Sequence, residues 1–337
     1  MCEHARRMIR RTRTPTAIAF LLGGVAVILM VYSTTDAAEP STALIFGATA
    51  CADLAVLAAI WAVLGVDLRL RTLLTGAFVG LVAALALFLL LLLPIAIVSP
   101  GFEDRLRDFV REPTAFVDGN SIDMFLVLVA VVVAPLTEEP AKALGAMFAK
   151  PTTRRVAFLA GATAGAGFAI FENLGYSAAA AADATVWRET LILRSLSGAL
   201  HPLATALVVL GIVEWRARRR PRAIWLGFGA GFAIHALWNG TAVVLDVVQF
   251  GAQTGELPGV VRAAALIYTG ALGVVLGLVL LAVAREVRKR EPMLEPGMPP
   301  PPPIAPRPFL ERRAWAGLGV ATAVPVLTIA VVYPMIF

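Results

Sequence analysis

The stretch Ile122–Ala149, IDMFLVLVAVVVAPLTEEPAKALGAMFA, decides how this chain folds. It is long enough to cross a bilayer as a helix, which takes about 20 mainly apolar residues. Yet Glu138, Glu139 and Lys142 stand inside it. On a soluble helix Glu-Glu-x-x-Lys is ordinary. Inside a span each ionisable group costs about 2.5–3.5 kcal/mol or more, and such groups mark function by default.

The rest of the chain places this stretch in a membrane. Of 337 residues, 59% are hydrophobic and 15% charged, against about 45–50% and about 25% in a soluble domain. Mean hydropathy is +0.81. Two cysteines exclude a disulfide-stapled scaffold. Nine runs are of membrane-spanning length: roughly 16–33, 42–65, 72–98, 122–149, 155–182, 194–213, 223–248, 262–284 and 314–336. Each must be helical, because a segment in lipid has to satisfy its backbone internally. The expected fold is all-α, a polytopic membrane helix bundle.

Charge sorts the loops. With the N-terminus cytoplasmic, 22 Lys and Arg fall on the cytoplasmic side and 6 on the other, with Lys142 left in a span. That bias fixes the orientation and puts Phe337 outside. The sequence pI near 9.9 then needs no nucleic acid as partner. The organisation read from the chain is a basic N-terminus, 1–15, and spans one to three, 16–98. An extracytoplasmic loop at 99–121, expected to hold a short interfacial helix, leads into spans four to eight, 122–284. A cytoplasmic linker, 285–313, contains Pro299 to Pro303 and reads as a stiff spacer. The ninth span, at 314–337, stands apart. The basic stretch before Pro15 also suits a signal peptide, but no convincing small-x-small cleavage site follows, so the first span reads as a retained anchor.

Ionisable residues inside spans are few and clustered. Span four holds Glu138, Glu139 and Lys142, span five Glu172, span six His201 and span seven His235; span two adds Asp53. At 3.6 residues per turn Lys142 lies about 40° from Glu138 and about 60° from Glu139 around the helix, so it can pair with either. Adjacent carboxylates repel, and a pair poised in that way suits general acid–base work. Pro135 and Pro140 bracket them, and Thr137 is placed to cap a helix restarted at a kink. Gly161 with Gly165, and Gly227 with Gly231, give spans five and seven faces for close helix contact. Arg194, Gly198, His201 and Thr205 share a face of span six, and His235 and Asn239 lie one turn apart on span seven. Two histidines, a glutamate and water form a hydrolytic zinc set, with a separate glutamate to activate the water; His4, outside the bundle, excludes a three-histidine site. One difficulty is depth: rise per residue puts Glu138 and Glu172 about 10–15 Å apart along the membrane normal.

Glu138-Glu139-x-x-Lys142, Phe168-x-x-x-Glu172-Asn173, Arg194 to His201 and His235-x-x-x-Asn239 resemble the PrsW family of membrane-embedded proteases, distantly akin to the CAAX- and bacteriocin-processing proteases. The resemblance covers about 122–248, the expected catalytic core. It implies peptide-bond hydrolysis in or beside the plasma membrane, on a membrane-spanning protein such as an anti-sigma factor. It also implies that Glu138 and Glu139 are essential, one activating water, and makes Lys142 and Glu172 members of the catalytic set. His201, His235 and Glu172 would bind a metal, with Zn2+ the natural ion, and Asn239 would steady the oxyanion. A water activated by glutamate and histidine without metal is the alternative chemistry. Two other functions compete: a proton- or ion-coupled transporter, for which Asp53 would join an acid–histidine relay, and a non-catalytic membrane binding or immunity protein. The transporter reading lacks an internal repeat pairing two halves.

Overall fold

A computed structural model describes residues 3–66, 70–98, 101, 117–118, 121–182, 187–253, 255 and 257–291. The described chain is a bundle of helices: α1, Glu3–Ser33; α2, Thr42–Leu64; α3, Leu70–Val98; α4, Met124–Ala149; α5, Arg154–Ala181; α6, Trp187–Leu196; α7, Leu200–Arg218; α8, Pro221–Gln253; and α9, Gly259–Arg290. A two-rung antiparallel pairing of Val117–Asp118 with Ser121–Ile122 leads into α4. Among the described residues seven segments are long and apolar enough to cross a membrane, counting Trp187–Arg218 as one. The third expected span is α3, whose apolar stretch is Leu74–Leu90. Pro299 to Pro303, the ninth span and most of the 99–121 loop lie outside the described residues.

Short polar residues start these helices. Ser41 accepts a hydrogen bond from Leu44 N at the head of α2, Asp123 from Phe125 N and Leu126 N at α4, and Thr153 from Val156 N at α5. Gly65, with φ at 62°, closes α2 in a left-handed turn. One end of the bundle is tied by Arg155, whose guanidinium donates to the Leu64 and Arg288 carbonyls while its backbone N–H meets Glu291. That joins the ends of α2 and α9 to the start of α5.

The core is centred on α5 and α7. Phe158, Leu159, Leu200, Leu203 and Leu210 are buried there among alanines. Small residues let the backbones meet. At Gly165 an added Cβ would fall on the His201 carbonyl, so α5 can lie on α7 at the level of the histidine only with glycine there. This is the close approach expected of Gly161 and Gly165; Gly227 and Gly231 meet the backbone of α7 in the same way. Around this centre α3 packs on α4 and α5, α2 on α5, and α8 on α7. The outward faces carry large apolar side chains such as Phe20, Trp225, Ile267 and Leu278, a surface suited to lipid.

Two helices depart from the expected form. The sixth span is not one helix from 194 to 213. A turn at residues 197–199 separates α6 from α7, so Arg194 and His201 belong to different helices. Span four does break, but not by a restart capped by Thr137. The Thr137 hydroxyl donates back to the Val133 and Ala134 carbonyls within a continuous helix. The irregularity lies upstream, a π-helical turn at Val129–Val133 in which Ala134 N–H donates to the Val129 carbonyl. Pro135 follows directly, and its missing N–H and its ring both disfavour an α-turn at that place.

Candidate active site

Glu138, Glu139 and Lys142 project from α4 toward Glu172 of α5, His201 of α7 and His235 of α8. The depth gap inferred from rise per residue does not survive. His201 Nε2 lies 2.9 Å from Glu172 Oε2, while its Nδ1 lies 3.0 Å from Lys142 Nζ. Lys142 Nζ in turn stands 2.6 Å from Glu139 Oε1 and 3.3 Å from Glu138 Oε2. The carboxylates of α4 and α5 therefore meet through a lysine and a histidine.

Lys142 is fully buried and serves as the hub. Its ammonium faces two carboxylates and an imidazole and sits 4.3 Å from the centre of the Phe168 ring, a cation–π contact. Gly80 makes room for it, since a Cβ there would stand 3.1 Å from Lys142 Cα. These partners compensate a charge that would otherwise be prohibitive in lipid.

The two glutamates of α4 have different surroundings. Glu139 is fully buried and saturated. Oε1 takes Lys142 and His235 Nδ1 at 2.8 Å, and Oε2 accepts from the Thr205 hydroxyl at 2.9 Å. Glu138 keeps 13% side-chain exposure and, among the described residues, pairs with Lys142 and stands 3.9 Å from His235 Nε2. Glu138 is the carboxylate with room to act.

The partners also assign the imidazole protons. An ammonium can only donate, so His201 Nδ1 accepts from Lys142 and Nε2–H donates to Glu172. His235 Nδ1–H donates to the Glu139 carboxylate, which leaves the Nε2 lone pair directed toward Glu138. The rings lie edge to face, with centroids 4.8 Å apart. A carboxylate behind each imidazole fixes its tautomer and orientation, the usual support for a ligating or proton-transferring histidine.

A polar shell extends past these groups. Arg194 pairs with Glu172 at 3.3 Å and lies 3.7 Å over the Tyr176 ring. Next to Glu172 on α5, Asn173 donates to Asp53 of α2 at 2.9 Å. Sequence reasoning put Thr205 and Arg194 on the histidine's face without giving either a partner; their spacing of four and seven residues from His201 was the available signal.

Among the described residues one donor group suits a metal ion. Glu138, His201 and His235 each offer an atom within 4.8 Å of the others, and two imidazoles with a carboxylate form a donor set for a divalent hydrolytic ion such as Zn2+. The carboxylate in this group is Glu138, not Glu172, which is turned to His201 Nε2 and Arg194. The Lys142 ammonium lies against two of the three donors, so a bound cation would share its position. Asn239 is also placed differently from an oxyanion donor: its side-chain amide donates to the Ala130 carbonyl at 2.7 Å.

Acids and imidazoles gathered from four helices inside an apolar bundle define a polytopic membrane protein with an intramembrane glutamate–histidine site. The chain belongs to the PrsW family of intramembrane metalloproteases, whose profile matches residues 64–267, more than half of its length. No curated protein and no solved structure gives a match.

Proposed function

We propose that this protein is an endopeptidase that cuts a membrane-spanning protein in or next to the bilayer, an anti-sigma factor being the class the family resemblance points to. The observation that carries this reading is the convergence of Glu138, His201 and His235, with Glu139 and Glu172 each holding one imidazole.

In this reading a water lies between Glu138 Oε2 and His235 Nε2, whose 3.9 Å separation lets one water bond to both. Glu138 takes a proton from that water as its oxygen forms a bond to the scissile carbonyl carbon. The proton then passes to the departing amide nitrogen as the C–N bond breaks, leaving a carboxylic acid and an amine. Lys142 offsets charge on Glu138 through the cycle, and Glu139 and Thr205 keep His235 in register. Glu138, His201 and His235 are the residues that would hold Zn2+, with Lys142 displaced from His201 Nδ1 and Glu138 no longer free as the base. When bound, it would supply Lewis acidity toward the water and the carbonyl.

The excess of basic residues in alternate loops supports a multi-pass plasma-membrane protein with its N-terminus in the cytoplasm. It likewise supports the loop at 99–121 as extracytoplasmic and the linker at 285–313 as cytoplasmic. The catalytic core is 122–248.

The test compares membrane fractions of cells carrying the wild-type protein and Glu138→Gln. A single-pass protein that persists uncut only in the variant, with the variant present at normal abundance, is the expected result. Identical fractions would overturn the assignment.

A further inference from the structure

Asn239 of α8 reaches across to α4, and its partner there is unusual. The Ala130 carbonyl lies in the π-helical turn. In an α-helix it would accept from the N–H of residue 134, and in a π-turn from that of residue 135. Ala134 N–H is already given to the Val129 carbonyl. Residue 135 is proline and has no N–H to give. Neither donor within the helix can serve Ala130, and lipid offers none. Asn239 Nδ2 fills the vacancy at 2.7 Å.

The turn matters to the site below it. Above, Leu126 is buried against Val243 of α8, which anchors the start of α4. Below, Glu139 meets His235 of the same α8. A π-turn holds one residue more than an α-turn, so closing it would rotate the lower part of α4 by about 100° relative to the upper part. Glu138 and Glu139 would then leave the imidazoles while Leu126 kept its place.

We infer that Asn239 is a positioning residue: its amide replaces the backbone donor that Pro135 cannot supply, holds the π-turn open, and so aims Glu138 and Glu139 at the two histidines. The inference deepens the proteolytic reading, yet the geometry it concerns depends on neither substrate nor metal.

Pro135→Ala separates this role from any contact between Asn239 and substrate, because without the proline the turn is free to close and the Asn239 amide is what opposes it. The experiment uses full-length protein in nanodiscs, labelled with [15N]histidine, which gives three ring systems in the whole chain. Wild type, Asn239→Ala, Pro135→Ala and the double variant are compared by histidine 15N resonances and by hydrogen exchange of the amides around 129–138. Asn239→Ala is expected to displace the His235 Nδ1 resonance and to speed exchange in this segment by roughly tenfold. Pro135→Ala alone should resemble wild type while the Asn239 amide still holds the turn. In the double variant neither the proline nor the amide opposes an α-turn, so a regular, slowly exchanging helix is expected with His235 displaced. If Asn239→Ala does not fold, the double variant, whose carbonyls all regain donors, is expected to fold with His235 displaced. An unmoved His235 resonance in Asn239→Ala or in the double variant would overturn the inference. Failure of the membrane-fraction comparison would leave these spectra unaffected, so the two claims fail separately.

Discussion

At the scale of single residues the site is a set of unequal twins. Glu138 and Glu139 are neighbours in sequence, but one is saturated and the other is open, and the variants should differ accordingly. Glu138→Gln keeps the size of the side chain and removes its capacity to take a proton, so cleavage should stop while the protein accumulates, read as uncut substrate in membranes. Thr205→Val is nearly isosteric and leaves Glu139 Oε2 without its hydroxyl donor. Stranding a buried acceptor costs about 1–3 kcal/mol, so a lower melting temperature together with slower cleavage is expected. Melting and cleavage at wild-type values would show that Thr205 does not support Glu139. Asp53 separates the competing functions: an asparagine there can still accept from Asn173 through its amide oxygen. Proteolysis should therefore tolerate Asp53→Asn, whereas a proton relay would lose its carrier, and ion flux into vesicles reads the second possibility. The key residues were legible because charge in an apolar run is rare. Their partners were not, since a pairing such as Thr205 with Glu139 depends on how two helices face each other.

At the scale of helices, what was legible followed periodicity and what was hidden followed local breaks. Apolar runs placed α2 to α5 within a few residues and found the apolar parts of α1, α8 and α9, whose helices run on beyond them, and the glycine pairs marked the tight faces of α5 and α8. Pro135 announced a break in α4 without giving its form, a π-turn at 129–133, and the turn at 197–199 was hidden by the apolar run that continues through it. Rise per residue misplaced Glu172 for a related reason: it takes helices as straight, parallel and begun at a common plane, and α4 breaks that assumption. Close contact makes a sharp prediction at Gly165. An added methyl falls on the His201 carbonyl, where only backbone can yield. Gly165→Ala should push α5 from α7, destabilising by roughly 1–3 kcal/mol as overpacking does, and should separate Glu172 from His201 so that cleavage falls with it. Gly175→Ala, where a Cβ meets nothing within 4 Å, is the control and should leave melting and cleavage unchanged.

At the scale of the whole molecule, the bundle resolves the conflict between lipid and charge. The glutamates of the site are matched by a lysine, an arginine, two histidines and a hydroxyl, most of them from other helices, so polar groups that would each be expensive alone are brought in as one network. The family match over residues 64–267 takes in α4 to α8, the helices that carry the network, and stops short of the end of α9. Removing residues 292–337 should therefore leave melting and cleavage close to wild type. Loss of both would make the ninth span part of the working unit. The central claim is that imidazoles and carboxylates from separate helices share one chamber. Its most direct test is a solid-state NMR measurement of 15N–13C dipolar contacts in protein labelled with [15N]histidine and [13Cδ]glutamate. The account predicts a glutamate carboxyl carbon within about 4 Å of a ring nitrogen in both membrane histidines. Glu139→Gln should perturb the contact of His235, and Glu172→Gln that of His201. Two histidines with no carboxyl carbon in that range would contradict it.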